Sequence, residues 1–235
     1  MNTNKKTARI VGILFLLGFS GAITAKLTGP ILKAQDYLVQ VSANEFQILL
    51  GVFFQFIMAV ACAGIGISLY PIIKKYNPGL AIGAVGFRIF EAMFHIIGAI
   101  FIMLLLSLSE EFVKVGTQDS SYFHTVGSLL FAGKDWVNNV AVLLTWCIGA
   151  LMYYIVFYKT KLVPRWLSIW GIIGVTLCMI ASVLVMFRVI SPFGSIQVVM
   201  NGPIALQELV LAVWLIVKGF NSSPITSGSI SSLLE

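Results

Sequence analysis

The chain has 235 residues, of which 59% are hydrophobic and 10% charged, and its mean hydropathy is +0.98. An ordinary soluble domain carries roughly 25% charged residues, so this chain has too few polar side chains to cover a water-facing surface. The composition therefore excludes a soluble enzyme and a nucleic-acid-binding domain, although the net charge is +6. The class that fits is an all-α polytopic membrane protein, in which each helix satisfies its own backbone hydrogen bonds.

Six apolar stretches are predicted to be membrane spans, each needing about 20 residues. They are Ala8–Leu27, Phe46–Ile73, Leu80–Leu108, Trp136–Tyr158, Trp166–Phe187 and Ile204–Val217. The first stretch follows a basic N-terminus and could instead be a cleavable signal peptide. Its apolar run is longer than usual for one, and Ile23 stands where a small residue is expected. We predict a six-helix transmembrane domain over residues 1–220 and a disordered cytoplasmic tail over residues 221–235, which are rich in serine.

Two segments between the predicted spans are also apolar. Ile31–Val41 is predicted to form a short interfacial helix, and Tyr122–Phe131 is predicted to lie on the outer surface. Within the second span, Gly64 and Gly66 are typical of places where helices approach each other closely.

The basic residues predict the orientation of the spans. With the N-terminus in the cytoplasm, nine Lys and Arg residues fall in inner segments: Lys5, Lys6, Arg9, Lys74, Lys75, Lys159, Lys161, Arg165 and Lys218. Five fall in outer segments: Lys26, Lys33, Lys114, Lys134 and Arg188. Because an excess of Lys and Arg marks the cytoplasmic side, both termini are predicted to be cytoplasmic. Topology thus explains the positive charge, and no nucleic-acid partner is expected.

Four stretches of the chain carry motifs that occur together in one bacterial membrane family. They are Tyr70–Asn77, Gly86–Glu91, Pro164–Gly171 and Gln207–Phe220. Together they resemble domain-of-unknown-function family 4386, and the resemblance extends from about Thr7 to Phe220. It implies a multi-pass protein of the bacterial plasma membrane. It carries over no activity, cofactor or site residue.

Seven polar residues within the spans form the candidate site. A charged group inside the bilayer costs roughly 2.5–3.5 kcal/mol, so its presence needs a reason. Arg88, Glu91 and His95 are spaced i, i+3 and i+7, which puts them on one face of the third span. The helical rise places all seven between the midplane and the outer surface. The other four are Gln55, Asn138, Asn139 and Glu208. We therefore expect a polar pocket that faces the outside.

The charges of this pocket do not balance. Arg88 can neutralise either Glu91 or Glu208, and both pairings are open on the sequence alone. The remaining carboxyl must be protonated, paired with His95 or bound to a cation, because a free buried carboxylate is costly.

Metal and catalytic sites are not predicted. Glu91 and His95 could donate two ligands from one helix face, but His124 is the one other histidine, and no HExxH or CxxC pattern completes a site. The three cysteines show no paired spacing, so they are predicted to be packing residues: Cys62, Cys147 and Cys178. No serine has a base at helical spacing, and no glycine-rich phosphate loop is present. We expect no cofactor, and an intramembrane enzyme is the least favoured hypothesis.

Two other hypotheses remain. In the first, the protein is a non-catalytic accessory, sensor or assembly protein, and the polar residues are a latch that fixes helix register. In the second, it handles a solute or ion, linked to protons, through the outward-facing pocket. No span is predicted to be interrupted, which favours the first hypothesis because transporter sites often use broken helices. The expected partners are the lipid bilayer, a small polar or cationic ligand, and a second copy or another membrane protein.

Overall fold

The computed structural model describes residues 3–116 and 120–221, so the predicted tail from residue 222 onwards lies outside the described residues. The described chain is all-helical. Its α-helices, in order, are α1 Thr3–Gly18, α2 Ser20–Leu32, α3 Tyr37–Ala43, α4 Glu45–Ile73, α5 Pro78–Val115, α6 Ser120–Trp136, α7 Val142–Thr160, α8 Arg165–Met186 and α9 Ser195–Val217. A π-helical turn, Val137–Ala141, joins α6 to α7.

The prediction of six spans is confirmed. Six segments of the described chain are long and apolar enough to cross a membrane: Asn4–Leu32, Glu45–Ile73, Pro78–Val115, Ser121–Thr160, Arg165–Met186 and Ser195–Val217. The second and fifth agree with the predicted bounds to within one residue at each end, because polar turns flank them closely.

The two apolar segments outside the predicted spans belong to helices whose bounds differ from the predicted ones. Within Ile31–Val41, the first two residues end α2, and α3 begins only at Tyr37. Tyr122–Phe131 is not a separate surface segment, since it belongs to α6 and continues through the π-helical turn into the fourth span. The cause is packing between helices: the Phe123 ring contacts the Phe112 ring of α5, with centroids 5.5 Å apart.

The sixth span also begins earlier than predicted. The predicted bounds are Ile204–Val217, whereas α9 starts at Ser195 and contains Pro203 within it. A proline inside a helix removes one backbone hydrogen bond and favours a bend there. The earlier start places the residues of α9 deeper in the bundle than the sequence suggested.

Two of the helical segments are much longer than a bilayer is thick. The third segment has 38 residues and the fourth 40, which gives about 57 and 60 Å against a hydrocarbon core of about 30 Å. The end of the bundle where α5 ends and α6 begins is called the outer end here, following the predicted orientation. There α3, α5 and α6 bury a second core around Leu38, Leu105 and Phe123.

The first span divides into two helices that pack on different partners. In the inner half, α1 packs on α4 and α9. It lies so close to α9 that a Cβ on Gly12 would be 2.7 Å from the carbonyl oxygen of Ala212. In the outer half, α2 packs on α4 but has no comparable packing on α9, and α9 continues against α8. A gap therefore opens between α2 and the outer part of α9.

Side-chain hydrogen bonds to backbone carbonyls hold α2 against α4. Ser20 Oγ donates to the carbonyl of Phe54 at 3.0 Å, and Thr24 Oγ1 donates to that of Gly51 at 2.8 Å. From the other helix, Gln47 Nε2 donates to the carbonyl of Leu27 at 2.8 Å. Such bonds between helices are typical of membrane bundles, where the hydrophobic effect does not distinguish helix from lipid.

Candidate functional site

A cavity of about 700 Å³ lies in the gap between α2 and the outer part of α9. Every helix of the described chain except α3 contributes to its lining, and so does the π-helical turn that joins α6 to α7. It extends from Arg88, in the middle of α5, to Lys33 and Lys134 near the outer end. Most of its wall is apolar and includes Phe15, Phe19, Ile65, Val142, Trp146 and Ile204. Ionisable groups lie at both ends, with Arg88, Glu91 and His95 at the deep end and Lys33, Lys134 and Asp135 near the outer end.

Six of the seven predicted site residues line this cavity: Gln55, Arg88, Glu91, His95, Asn138 and Glu208. The seventh, Asn139, is buried outside the cavity lining, and its Nδ2 donates to the carbonyl of Asp135 at 3.0 Å. The two asparagines differ because neighbouring residues of a helix point in different directions.

Arg88 and Glu91 form a buried ion pair. Arg88 Nη1 lies 3.0 Å from Glu91 Oε2, and the two side chains are only 2% and 4% exposed. Arg88 Nε also donates to the carbonyl of Cys62 at 3.2 Å, which links α5 to α4. Of the two pairings that the sequence left open, the structure contains the one with Glu91.

Two glycines make room for the Arg88 side chain. A Cβ on Gly66 of α4 would lie 2.9 Å from Arg88 Cβ, and a Cβ on Gly149 of α7 would lie 3.5 Å from Arg88 Cγ. The stem of the Arg88 side chain thus packs against α4 and α7 at positions where these helices have no side chain. This lets both helices lie close to α5. This agrees with the packing role predicted for Gly66.

His95 lies beside the ion pair without completing it. Its Nε2 is 3.9 Å from Glu91 Oε1, too far for a hydrogen bond, and has no hydrogen-bond partner among the described residues. Gln55 Nε2 donates to the backbone carbonyl of His95 at 3.0 Å. Beside them, a Cβ on Gly98 would lie 2.9 Å from both Gln55 Nε2 and Asn138 Oδ1. Gly98 was not among the predicted residues, although its position three residues after His95 puts it on the same face.

Glu208 reaches the cavity from α9. Its Oε1 is buried and has no hydrogen-bond partner in the structure. It lies 13 residues after the start of α9 at Ser195, so it is about 20 Å along the helix, compared with the 9 Å or so that the later predicted start gave. Glu208 is therefore level with the middle of the bundle, with Trp146 in the same cavity wall.

Cys62 joins the polar cluster, which the sequence analysis did not predict. The Cys62 sulfur, a Glu91 carboxylate oxygen and a His95 ring nitrogen all lie within 4.8 Å of one another, and all three residues are buried. A signal was present in the sequence, because Cys62 follows Gln55 by seven residues and so shares its face of α4.

Three irregular helix segments border the cavity. The first span is interrupted at Phe19, the fourth contains the π-helical turn with Asn138, and the sixth contains Pro203 next to the lining residue Ile204. Phe19 alone divides a span into two helices, while the π-helical turn and Pro203 leave their spans continuous. π-Helical turns and broken membrane helices occur frequently at functional sites.

The fold and the cavity together define a six-span helical membrane protein with a central chamber. Residues 10–219 match the model of a family described as "Domain of unknown function (DUF4386)". The chain belongs to this family, as the four sequence stretches indicated. No curated protein and no solved structure matches it.

Proposed function

We propose that the protein acts in the bacterial plasma membrane as a ligand-handling protein whose cavity takes up a small amphipathic cation from the outer side. The observation that carries this proposal is the buried, unpartnered Oε1 of Glu208 in the cavity wall. Arg88 already pairs with Glu91. A second carboxylate in an apolar chamber is stabilised when a cation occupies the space beside it.

The residues that line the cavity indicate the size and polarity of the ligand. A chamber of about 700 Å³ suits a small organic molecule, and its apolar lining suits a hydrocarbon body. Phe15, Phe19 and Trp146 add aromatic rings, whose faces attract ammonium groups. An organic amine with an apolar body satisfies both the charge of Glu208 and the lining. A small hydrated ion satisfies only the charge.

The irregular helices support handling over a purely structural latch. Phe19, the π-helical turn and Pro203 all adjoin the cavity, where local backbone changes could open or close it. The hydrogen bond from Arg88 Nε to the Cys62 carbonyl still links α5 to α4 as a latch would. The accessory hypothesis accounts for that bond, but among the described residues Glu208 Oε1 has no hydrogen-bond partner, and a latch gives the chamber no role.

Thermal unfolding of the purified protein with a series of compounds tests the proposal. Primary and quaternary alkylamines, neutral alcohols and carboxylates of the same chain length are compared in the presence of a chelator. Amines are expected to raise the melting temperature, since a ligand at about 100 times its Kd adds about 2.7 kcal/mol to the free energy of unfolding. Equal shifts from the alcohols, or no shift from any amine, would contradict the proposal.

Two matched pairs of variants assign the effect to the cavity. Glu208→Gln is expected to abolish stabilisation by amines, whereas Glu111→Gln, at a carboxyl whose side chain is 59% exposed, should retain it. Ala205→Trp introduces a large side chain into the cavity wall and should block binding. Leu206→Trp, at a neighbouring position that is 59% exposed, should bind as the parent does.

A further inference from the structure

The geometry points to a second site at the deep end of the cavity: Cys62, Glu91 and His95 bind a divalent transition-metal ion of the zinc type. The ligand atoms come from two helices, Cys62 from α4 and the other two from α5, one helical turn apart. This inference goes beyond the proposed amine site. The two sites use different ligand atoms, and they share the cavity as a route of entry and the nearby charge of Glu208.

The distances between the three ligand atoms are slightly larger than those around a tetrahedral zinc ion. Zinc bonds to sulfur, nitrogen and oxygen of about 2.0–2.3 Å separate neighbouring ligand atoms by about 3.3–3.7 Å. The three atoms already lie within 4.8 Å of one another, and His95 Nε2 is 3.9 Å from Glu91 Oε1. Side-chain rotations that move each ligand atom by less than about 1 Å would bring the three atoms to the separations that zinc requires.

The two ligand atoms on α5 face each other outside the ion pair, and Arg88 holds the ligands in place. His95 Nε2 is buried without a hydrogen-bond partner, as expected for a ring nitrogen whose partner is a metal ion. The ion pair uses Glu91 Oε2, which leaves Oε1 facing His95. Arg88 contacts both the Glu91 carboxylate and the Cys62 carbonyl. It is thus placed to orient the metal ligands without binding the metal itself.

The charge of the cluster also favours a divalent ion. With Arg88, Glu91 and Glu208 ionised, the cluster carries a net charge of −1. When a divalent ion binds Cys62, the thiol proton leaves to the cavity and the thiolate bonds to the metal, so the cluster gains one positive charge and becomes neutral. Sulfur and imidazole ligands select zinc-type ions over Mg²⁺ and Ca²⁺, and three protein ligands leave a fourth position open to the cavity.

Metal binding by the purified full-length protein tests this inference in the absence of any amine. The protein is stripped with a chelator and a thiol reductant, loaded with Zn²⁺ or Co²⁺ and separated from free metal. We expect one zinc ion per chain, and with Co²⁺ a near-ultraviolet band from the bond between thiolate and cobalt. Cys62→Ala and His95→Gln should each weaken binding by about tenfold or more.

Two further variants assign the thiolate without changing Cys62. Cys178→Ala removes another buried cysteine that lines the same cavity, and it should keep both the ion and the band. The double variant Cys147→Ala/Cys178→Ala leaves Cys62 as the sole thiol and should also keep them. Absence of metal and band in the parent, loss of the band in this double variant, or equal metal retention by all variants would overturn the inference. Failure of the amine experiment would leave this result unaffected.

Discussion

At the scale of single residues, the Arg88–Glu91 pair accounts for most of the buried charge. Both side chains are almost fully buried, so each ion depends on the other for compensation. Removing one partner of such a pair is costly because it leaves an uncompensated charge in a medium that solvates it poorly.

Arg88→Ala is therefore expected to lower the free energy of unfolding by about 3–5 kcal/mol. Adding Glu91→Gln should recover part of this loss, because Glu91 is the ion-pair partner of Arg88. Adding Glu208→Gln should recover less. Reversible unfolding in mixed detergent micelles measures all four proteins, including the parent. An Arg88→Ala protein as stable as the parent would contradict the buried pair, and equal recovery by both double variants would contradict the assignment to Glu91.

The sequence predicted the charged site residues that share one helix better than the contacts that form when helices pack together. Arg88, Glu91 and His95 follow from spacing along a single helix, which fixes their common face. Cys62 and Gly98 were missed, since their roles depend on how α4 rotates and slides against α5. A single sequence does not specify that register, because many positions on α4 are equally apolar.

At the scale of elements, glycines set how closely the helices around the site approach. Gly66 and Gly149 contact the Arg88 residue directly, and Gly98 contacts Gln55 and Asn138. Packed interiors tolerate added volume poorly, because neighbouring atoms must leave their preferred positions.

Gly66→Ala is accordingly expected to destabilise the protein by about 1–3 kcal/mol, because the new Cβ would lie 2.9 Å from Arg88 Cβ and 3.3 Å from Val85 Cα. The matched control is Gly86→Ala on α5, where nothing lies within 4 Å of the added atom. That change should be neutral or stabilising by up to about 1 kcal/mol, since alanine favours helix. Unfolding free energies of the two variants test this, and similar values for both would show that α4 and α5 are farther apart than the structure has them.

Helix boundaries were less predictable than helix number. Hydropathy identified six spans because each exceeds the length that a bilayer requires. The early start of α9 and the continuation of α6 into the fourth span depend on contacts with other helices. Gly202 and Pro203 are breakers in water, but membrane helices tolerate such residues when their neighbours satisfy the freed backbone groups.

At the scale of the whole molecule, orientation in the membrane stays a prediction from charge. Six spans place both ends of the described chain on the same side, and the nine basic residues of the inner segments predict that this side is the cytoplasm. An alkaline phosphatase fusion after Phe220 should therefore be inactive. A fusion after Ser191, in the segment between α8 and α9, should be active. An active Phe220 fusion would show that the orientation is reversed or that the number of spans is different. With a reversed orientation the cavity would no longer face outward.

The hydrogen bonds that hold α2 on α4 have a consequence for sequence variation among relatives. Ser20 and Thr24 donate to main-chain carbonyls, which every amino acid possesses. The acceptor residue Phe54 is therefore free to vary as far as this bond is concerned, while the donors are not. Gly51 is restricted for a separate reason, since a Cβ there would collide with Thr28 Cγ2. Because Thr28 fits only against a residue without a side chain, this contact fixes the register of α2 on α4 although carbonyl acceptors recur with every turn of about 5.4 Å. The hydroxyl pattern on α2 and the glycine at position 51 are thus the parts of this seam that we expect selection to preserve.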